Sequence, residues 1–123
     1  MSRGARVLVV EDQAMLAELI ADFLTLDCGL EVQGPAPTAR AALSLVDQVL
    51  PAAAILDICL GSETSFSLAR TLIKRGVPII FFTARDDNPI PRDLIDVKRI
   101  SKLQPFGNLQ LILEEMLGSI TAK

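Results

Sequence analysis

The sequence predicts an α/β fold with a doubly wound, five-stranded parallel sheet, and three observations lead there. Short apolar runs of strand length recur at residues 7–10, 52–56 and 77–82, nearly unbroken, as in strands covered on both faces. Between them lie segments whose apolar residues repeat every three or four positions, the pattern of amphipathic helices packed on a sheet. Half of the 123 residues are hydrophobic but only 4% are aromatic, so Leu, Ile, Val and Ala must build the core, which suits this layered architecture.

Taken in order, Arg6-Val7-Leu8-Val9-Val10 forms a first buried strand ending at Glu11-Asp12. Leu16, Leu19, Ile20, Phe23 and Leu24 give the next helix one apolar stripe, and Cys28-Gly29 stops it. Asp12 is a candidate N-cap for this helix, since its side-chain oxygen can accept an unpaired backbone N–H. Residues 30–34 alternate apolar and polar, which predicts an edge strand with one exposed face. Pro35 to Thr38 turns the chain, Thr38 caps a second helix, and Ala39, Ala42, Leu43 and Val46 mark its buried side. Pro51 closes that connection, and the run 52–56 ends at Asp57.

Residues 58–65 read as a loop, from their glycine and hydroxyl content. A helix from about Ser65 to Lys74 turns Leu68, Ala69, Leu72 and Ile73 inward and ends at Gly76. Residues 77–82 form a fourth buried strand with Thr83-Ala84 at its exit; Pro78 is tolerable so near the start. In the segment 85–96, Pro89 and Pro91 remove backbone donors, leaving room for at most a short helix near Pro91. Residues 97–103 form a weaker fifth strand, and Gln104-Pro105-Phe106-Gly107 turns into a last helix with Leu109, Ile112, Leu113, Met116, Leu117 and Ile120 on one stripe.

Strands alternating with helices imply right-handed crossovers and the flavodoxin-like order 2-1-3-4-5, with an irregular or short fourth helix. The length fits one domain spanning residues 1–123, and no output domain is expected beyond it. No apolar run is long enough to cross a bilayer and no leader pattern opens the chain, so a cytoplasmic location and no membrane contact are expected. A net charge of −3 without a basic run argues against nucleic acid as a partner. Cys28 and Cys59 form no CxxC pair, and no disulfide is expected. The absence of histidine removes imidazole bases, imidazole ligands and phosphohistidine from this polypeptide.

In the order 2-1-3-4-5 the chain reverses direction between strands 1 and 3, where open α/β sheets bind ligands. Glu11, Asp12 and Asp57 should converge there. Two unit charges ~4 Å apart repel by about 4 kcal/mol at an effective dielectric near 20, so such a cluster calls for a cation. Magnesium suits it, preferring oxygen ligands and keeping positions for waters and phosphate oxygens. Thr83 adds a hydroxyl to the same rim.

An acidic pair after strand 1, an Asp after strand 3 and a Thr after strand 4 resemble the receiver domain of two-component response regulators. The resemblance runs through Val7-Leu8-Val9-Val10-Glu11-Asp12, Leu56-Asp57, Phe82-Thr83-Ala84 and Pro105-Phe106, and it covers essentially the whole chain. It implies that Asp57 is the phosphoacceptor, served by a partner histidine kinase, a histidine phosphotransfer protein or a small phosphodonor. It implies that Glu11, Asp12, Asp57 and the backbone carbonyl of Cys59 hold Mg2+, and that Thr83 and Ala84 sense the phosphoryl group. Cys59 and Arg85 match positions that tune its lifetime. Output is then expected through contact with a downstream protein, by way of the last helix, strand 5 and the irregular segment before it.

Two positions depart from the family. Lysine usually stands immediately before the proline, where its ammonium contacts the phosphoryl group; here that residue is Gln104, with Lys102 two residues earlier. In an extended strand residues 102 and 104 share a face, roughly 6.6 Å apart. Lys102 either leans toward the site as a partial substitute, or is a solvated lysine, the default reading, with Gln104 weakening the response. The aromatic that the family often places three residues before the lysine is replaced by Ser101. The main rival is a degenerate receiver that binds proteins independently of phosphorylation. An Mg-dependent phosphatase would need a second Asp where Cys59 stands, and a flavodoxin-like cofactor binder would have its phosphate repelled by Glu11-Asp12.

Overall fold

The computed structural model describes residues 4–84 and 89–118. Arg85 and Ile120, both named above, lie outside the described residues. Five parallel strands, β1 (Arg6–Val10), β2 (Glu31–Ala36), β3 (Ala53–Asp57), β4 (Ile79–Thr83) and β5 (Lys98–Ser101), form one sheet in the order 2-1-3-4-5. The helices are α1 (Ala14–Asp22), α2 (Ala39–Gln48), α3 (Phe66–Lys74) and α4 (Phe106–Leu117). Among the described residues between β4 and β5, a 3₁₀ turn, Arg92–Leu94, opens after Pro91.

The two-residue period of the strands sends alternate side chains into two separate cores. Leu8, Val10, Leu56 and Phe81 face α2, α3 and the 92–94 turn, packing on Ala42, Val46, Leu68, Leu72 and Leu94. Val7, Val9, Ile55, Ile80 and Phe82 face the other way, onto Ile20 and Leu24 from the α1 side and Leu109 and Leu113 of α4. With every residue of β3 and β4 buried, the central strands carry no polar face, which is why their runs are continuous. Phe106 ties α4 to both the sheet and the turn that continues α1, its ring centroid 6.1 Å from that of Phe82 and 5.2 Å from that of Phe23.

Several sequence expectations are corrected. Leu19 is 53% exposed and Ile73 45% exposed, so the buried stripes of α1 and α3 are narrower than their apolar periodicity implied. After Asp22 the first helix widens into a π-helical stretch, Phe23–Asp27, which leaves Leu24 fully buried. β2 begins at Glu31 and continues through Pro35 to Ala36. Its polar face is only partly open: Glu31 is exposed, but Gln33 is buried, and its Nε2 donates to Leu45 O at 2.9 Å and Val49 O at 2.8 Å, tying the edge strand to the end of α2.

The close approach of β2 to β1 requires glycine at position 34. Its φ is +99°, and a Cβ there would lie 2.7 Å from Ala36 N and 3.1 Å from Val9 O. The segment 58–65 is not a plain loop, because Cys59–Leu60 and Glu63–Thr64 pair as a small antiparallel hairpin around Gly61. β4 starts two residues later than expected and incorporates Thr83; β5 is shorter at both ends than the 97–103 forecast. Thr38 does cap α2, its Oγ1 accepting from Ala41 N at 3.1 Å. No helix among the described residues is long and apolar enough to cross a membrane.

Candidate functional site: an acidic pocket closed by a lysine

The parallel ladders bring three strand ends to one edge. β3 pairs with β1 through Leu56↔Val10 and with β4 through Asp57↔Phe82, while Thr83 of β4 lies beside Ser101 of β5. These registers set Asp57 one step from Glu11 on one side and Thr83 on the other. Asp57 and Thr83, together with Asp12, Cys59, Gly61 and Lys102, border a cavity of about 270 Å³, and Glu11 joins Asp12 and Asp57 in one carboxylate cluster beside it.

Glu11 and Asp57 are buried, 3% and 6% exposed, whereas Asp12 stands at the open rim. One ligand oxygen from each of Glu11, Asp12 and Asp57 lies within 4.8 Å of the others. Glu11 Oε2 accepts from Gln13 N at 3.1 Å. Asp57 Oδ1 accepts a long bond from Cys59 N at 3.4 Å. Asp12 does not cap α1: residue 13 occupies that position without a side-chain bond, and Asp12 Oδ2 accepts instead from Gly61 N at 3.0 Å, tethering the hairpin. The N-cap reading of Asp12 is therefore overturned by a tertiary partner that local sequence could not reveal.

Lys102 reaches into this cluster. Its Nζ donates to Asp57 Oδ2 at 2.9 Å and lies 3.0 Å from Glu11 Oε1, an ion-pair contact, with only 13% of its side chain exposed. Burial pushes the Glu11 carboxyl above its usual range, although the lysine and the Gln13 N–H pull it back. Burial acts in the opposite sense on Lys102, but the bonds to Asp57 and Glu11 outweigh it and raise its pKa, so the ammonium stays charged. The solvated-lysine reading of Lys102 thus fails, and so does the premise of an extended strand through residue 104. β5 ends at Ser101, Lys102 N donates to Thr83 O at 2.7 Å, and the chain turns at once, leaving Leu103 and Gln104 exposed.

The donor set fits a hard divalent cation: three carboxylates at one edge, no sulfur or imidazole among them, and an opening wide enough for waters or phosphate oxygens. The partners missed from sequence were backbone N–H groups of Gln13 and Gly61 and the Ser101 turn. A glycine in the 58–65 segment was the one visible hint of the second.

Fold and pocket together define an α/β domain of the receiver class. Residues 7–104 match the response regulator receiver domain, and the chain belongs to that family, in which phosphorylation on an aspartate and Mg2+ binding at an acidic pocket are general. The chain is 38% identical over 82 residues to a protein-glutamate methylesterase/protein-glutamine glutaminase of Nocardioides sp., a match covering 65% of this chain and 22% of that protein. It spans roughly a fifth to a third of the length of the methylesterases it matches.

Among solved structures, the non-phosphorylated HemR receiver domain of Leptospira biflexa superposes with a TM-score of 0.78 at 25% identity, covering 97% of this chain and 98% of that one. The response regulator TrrA of Thermotoga maritima, solved in complex with Mg2+-BeF, gives a TM-score of 0.80 at 22% identity, covering 92% and 99%. This second likeness speaks for the fold.

Proposed function

We propose that this chain is a phosphoacceptor module of a two-component phosphorelay, with Asp57 taking the phosphoryl group from the histidine of a partner kinase or phosphotransfer protein. The observation that carries the reading is the position of Lys102 Nζ, 2.9 Å from Asp57 and 3.0 Å from Glu11, at the edge where the three carboxylates meet. An Asp57 oxygen forms a bond to phosphorus while the bond from phosphorus to the donor nitrogen breaks, giving an acyl phosphate and a free imidazole. Glu11, Asp12, Asp57 and the Cys59 carbonyl would hold Mg2+, which when bound neutralises charge on acceptor and transferring group.

Lys102 supplies the cation that Gln104 cannot, since an amide donates hydrogen bonds but carries no charge. Thr83, buried at the end of β4, and Ala84 beside it would respond to the added phosphoryl oxygens. The degenerate-receiver alternative rested on Gln104 in the lysine position, and the contacts of Lys102 weaken that ground. With Lys102 as the reference, the position three residues earlier is Arg99 rather than Ser101, and it too lacks an aromatic ring.

Intact-mass measurement after incubation with a small acyl phosphate tests the reading. A phosphoryl adduct is expected on the wild type with Mg2+, and none on Asp57→Asn or without Mg2+. An adduct persisting on Asp57→Asn would remove Asp57 as the acceptor, and none on wild type with either the small donor or a cognate kinase would favour the rival. Lys102→Ala should form the adduct more slowly; unchanged rate and lifetime would remove Lys102 from the chemistry.

A further inference from the structure

The turn that follows β5 is built almost entirely by Ser101. Its carbonyl accepts from Gln104 N at 3.1 Å, closing a four-residue turn, and its Oγ accepts from Leu103 N, also at 3.1 Å. Lys102 is the second residue of that turn. The last ladder bond, Lys102 N to Thr83 O at 2.7 Å, holds its backbone against β4 while its side chain enters the acidic pocket. Leu103 is 88% exposed, so the two residues between Lys102 and Pro105 are absorbed as an outward bulge. Had the strand continued to residue 104, Gln104 would share the face of Lys102 and compete for the same edge.

We infer that Ser101 is the positioning residue for Lys102, its hydroxyl holding the turn that delivers the ammonium between Asp57 and Glu11 despite the Leu103-Gln104 insertion. A serine oxygen that takes an N–H two residues on imitates a backbone turn. Without it, Leu103 N–H turns to water and the backbone bearing Lys102 samples other conformers. A lysine has a long, entropically costly stem, so a loosened base directly dilutes its contact. The inference rests on reading the Asp57 pocket as the phosphoacceptor site, but its geometry can be tested apart from phosphorylation.

The experiment uses the full chain, isotope-labelled and free of metal, and follows the side-chain ammonium resonance of Lys102 by NMR in wild type, Ser101→Ala and Ser101→Thr. Backbone amide spectra monitor the fold. The wild type should show a solvent-protected ammonium signal. In Ser101→Ala that signal should broaden or vanish, and Mg-dependent adduct formation should slow about fivefold, the equivalent of one ordinary hydrogen bond. Ser101→Thr, which keeps the hydroxyl, should restore both.

An unchanged ammonium signal in a folded Ser101→Ala, a Ser101→Thr that loses it, or its absence from the wild type would each overturn the inference. If no variant forms an adduct while the ammonium signal still tracks residue 101, the positioning stands and the phosphoacceptor reading fails.

Discussion

The pocket receives its opposite charges from two strand ends built in different ways. Asp57 closes β3, a central strand buried along its whole length and laddered on both sides. Lys102 follows β5, an edge strand of four residues paired on one side only, and is aimed by a turn. The acid wall therefore draws on the cooperative core, while the cation hangs on local hydrogen bonds. The site's carboxylates should be rigid and its lysine adjustable, a division that suits a domain that must admit a phosphoryl group and answer to it.

Substitutions at the two ends should separate these contributions. The largest effect belongs to β3: Leu56→Ala, at a fully buried position next to Asp57, should cost about 2–5 kcal/mol in urea unfolding through lost transfer energy and a cavity. A loss below about 1 kcal/mol would show that β3 is less central than its burial implies.

Lys102→Ala comes next. It leaves Glu11 and Asp57 uncompensated, and metal-free stability should fall by roughly 2 kcal/mol, short of the ~3–5 kcal/mol of enclosed pairs because the pocket is open to solvent. Millimolar Mg2+ should recover much of that loss in the variant, by mass action on the crowded carboxylates. No recovery would mean that the cluster does not bind the ion. Leu103→Ala is the smallest: the side chain lies in solvent, and unfolding should shift by no more than about 0.5 kcal/mol. A larger loss would show that the turn leans on Leu103 rather than on Ser101.

The same contrast explains which parts were legible in the chain. β1, β3 and β4 could be read because strands covered on both faces must be apolar throughout, and Asp57 because a carboxylate ending such a run has to emerge at the sheet edge. The 92–94 turn followed from Pro91. Gln33 was misread as exposed because period-2 alternation cannot show that α2 presents the carbonyls of Leu45 and Val49 above that face. Asp12 looked like a helix cap because local geometry allows it, until Gly61, distant in sequence, offered a better-placed N–H. Leu19 and Ile73 fit the helical period, yet periodicity does not say how wide the facing sheet is.

The sequence by itself determined the order of elements, the parallel sheet and the convergence of Glu11, Asp12 and Asp57, because apolar runs dictate strands and chain reversal dictates which strand ends meet. Only the tertiary structure decided which residue brings the cation. Counting back from Pro105 points to Gln104, whereas the hydrogen bonds of Ser101 fold the chain two residues earlier and send Lys102 to Asp57. The physical reason is that a turn at a strand's end is settled by small, local bonds of about 1 kcal/mol each, and their outcome depends on a charged partner 45 residues away in the chain.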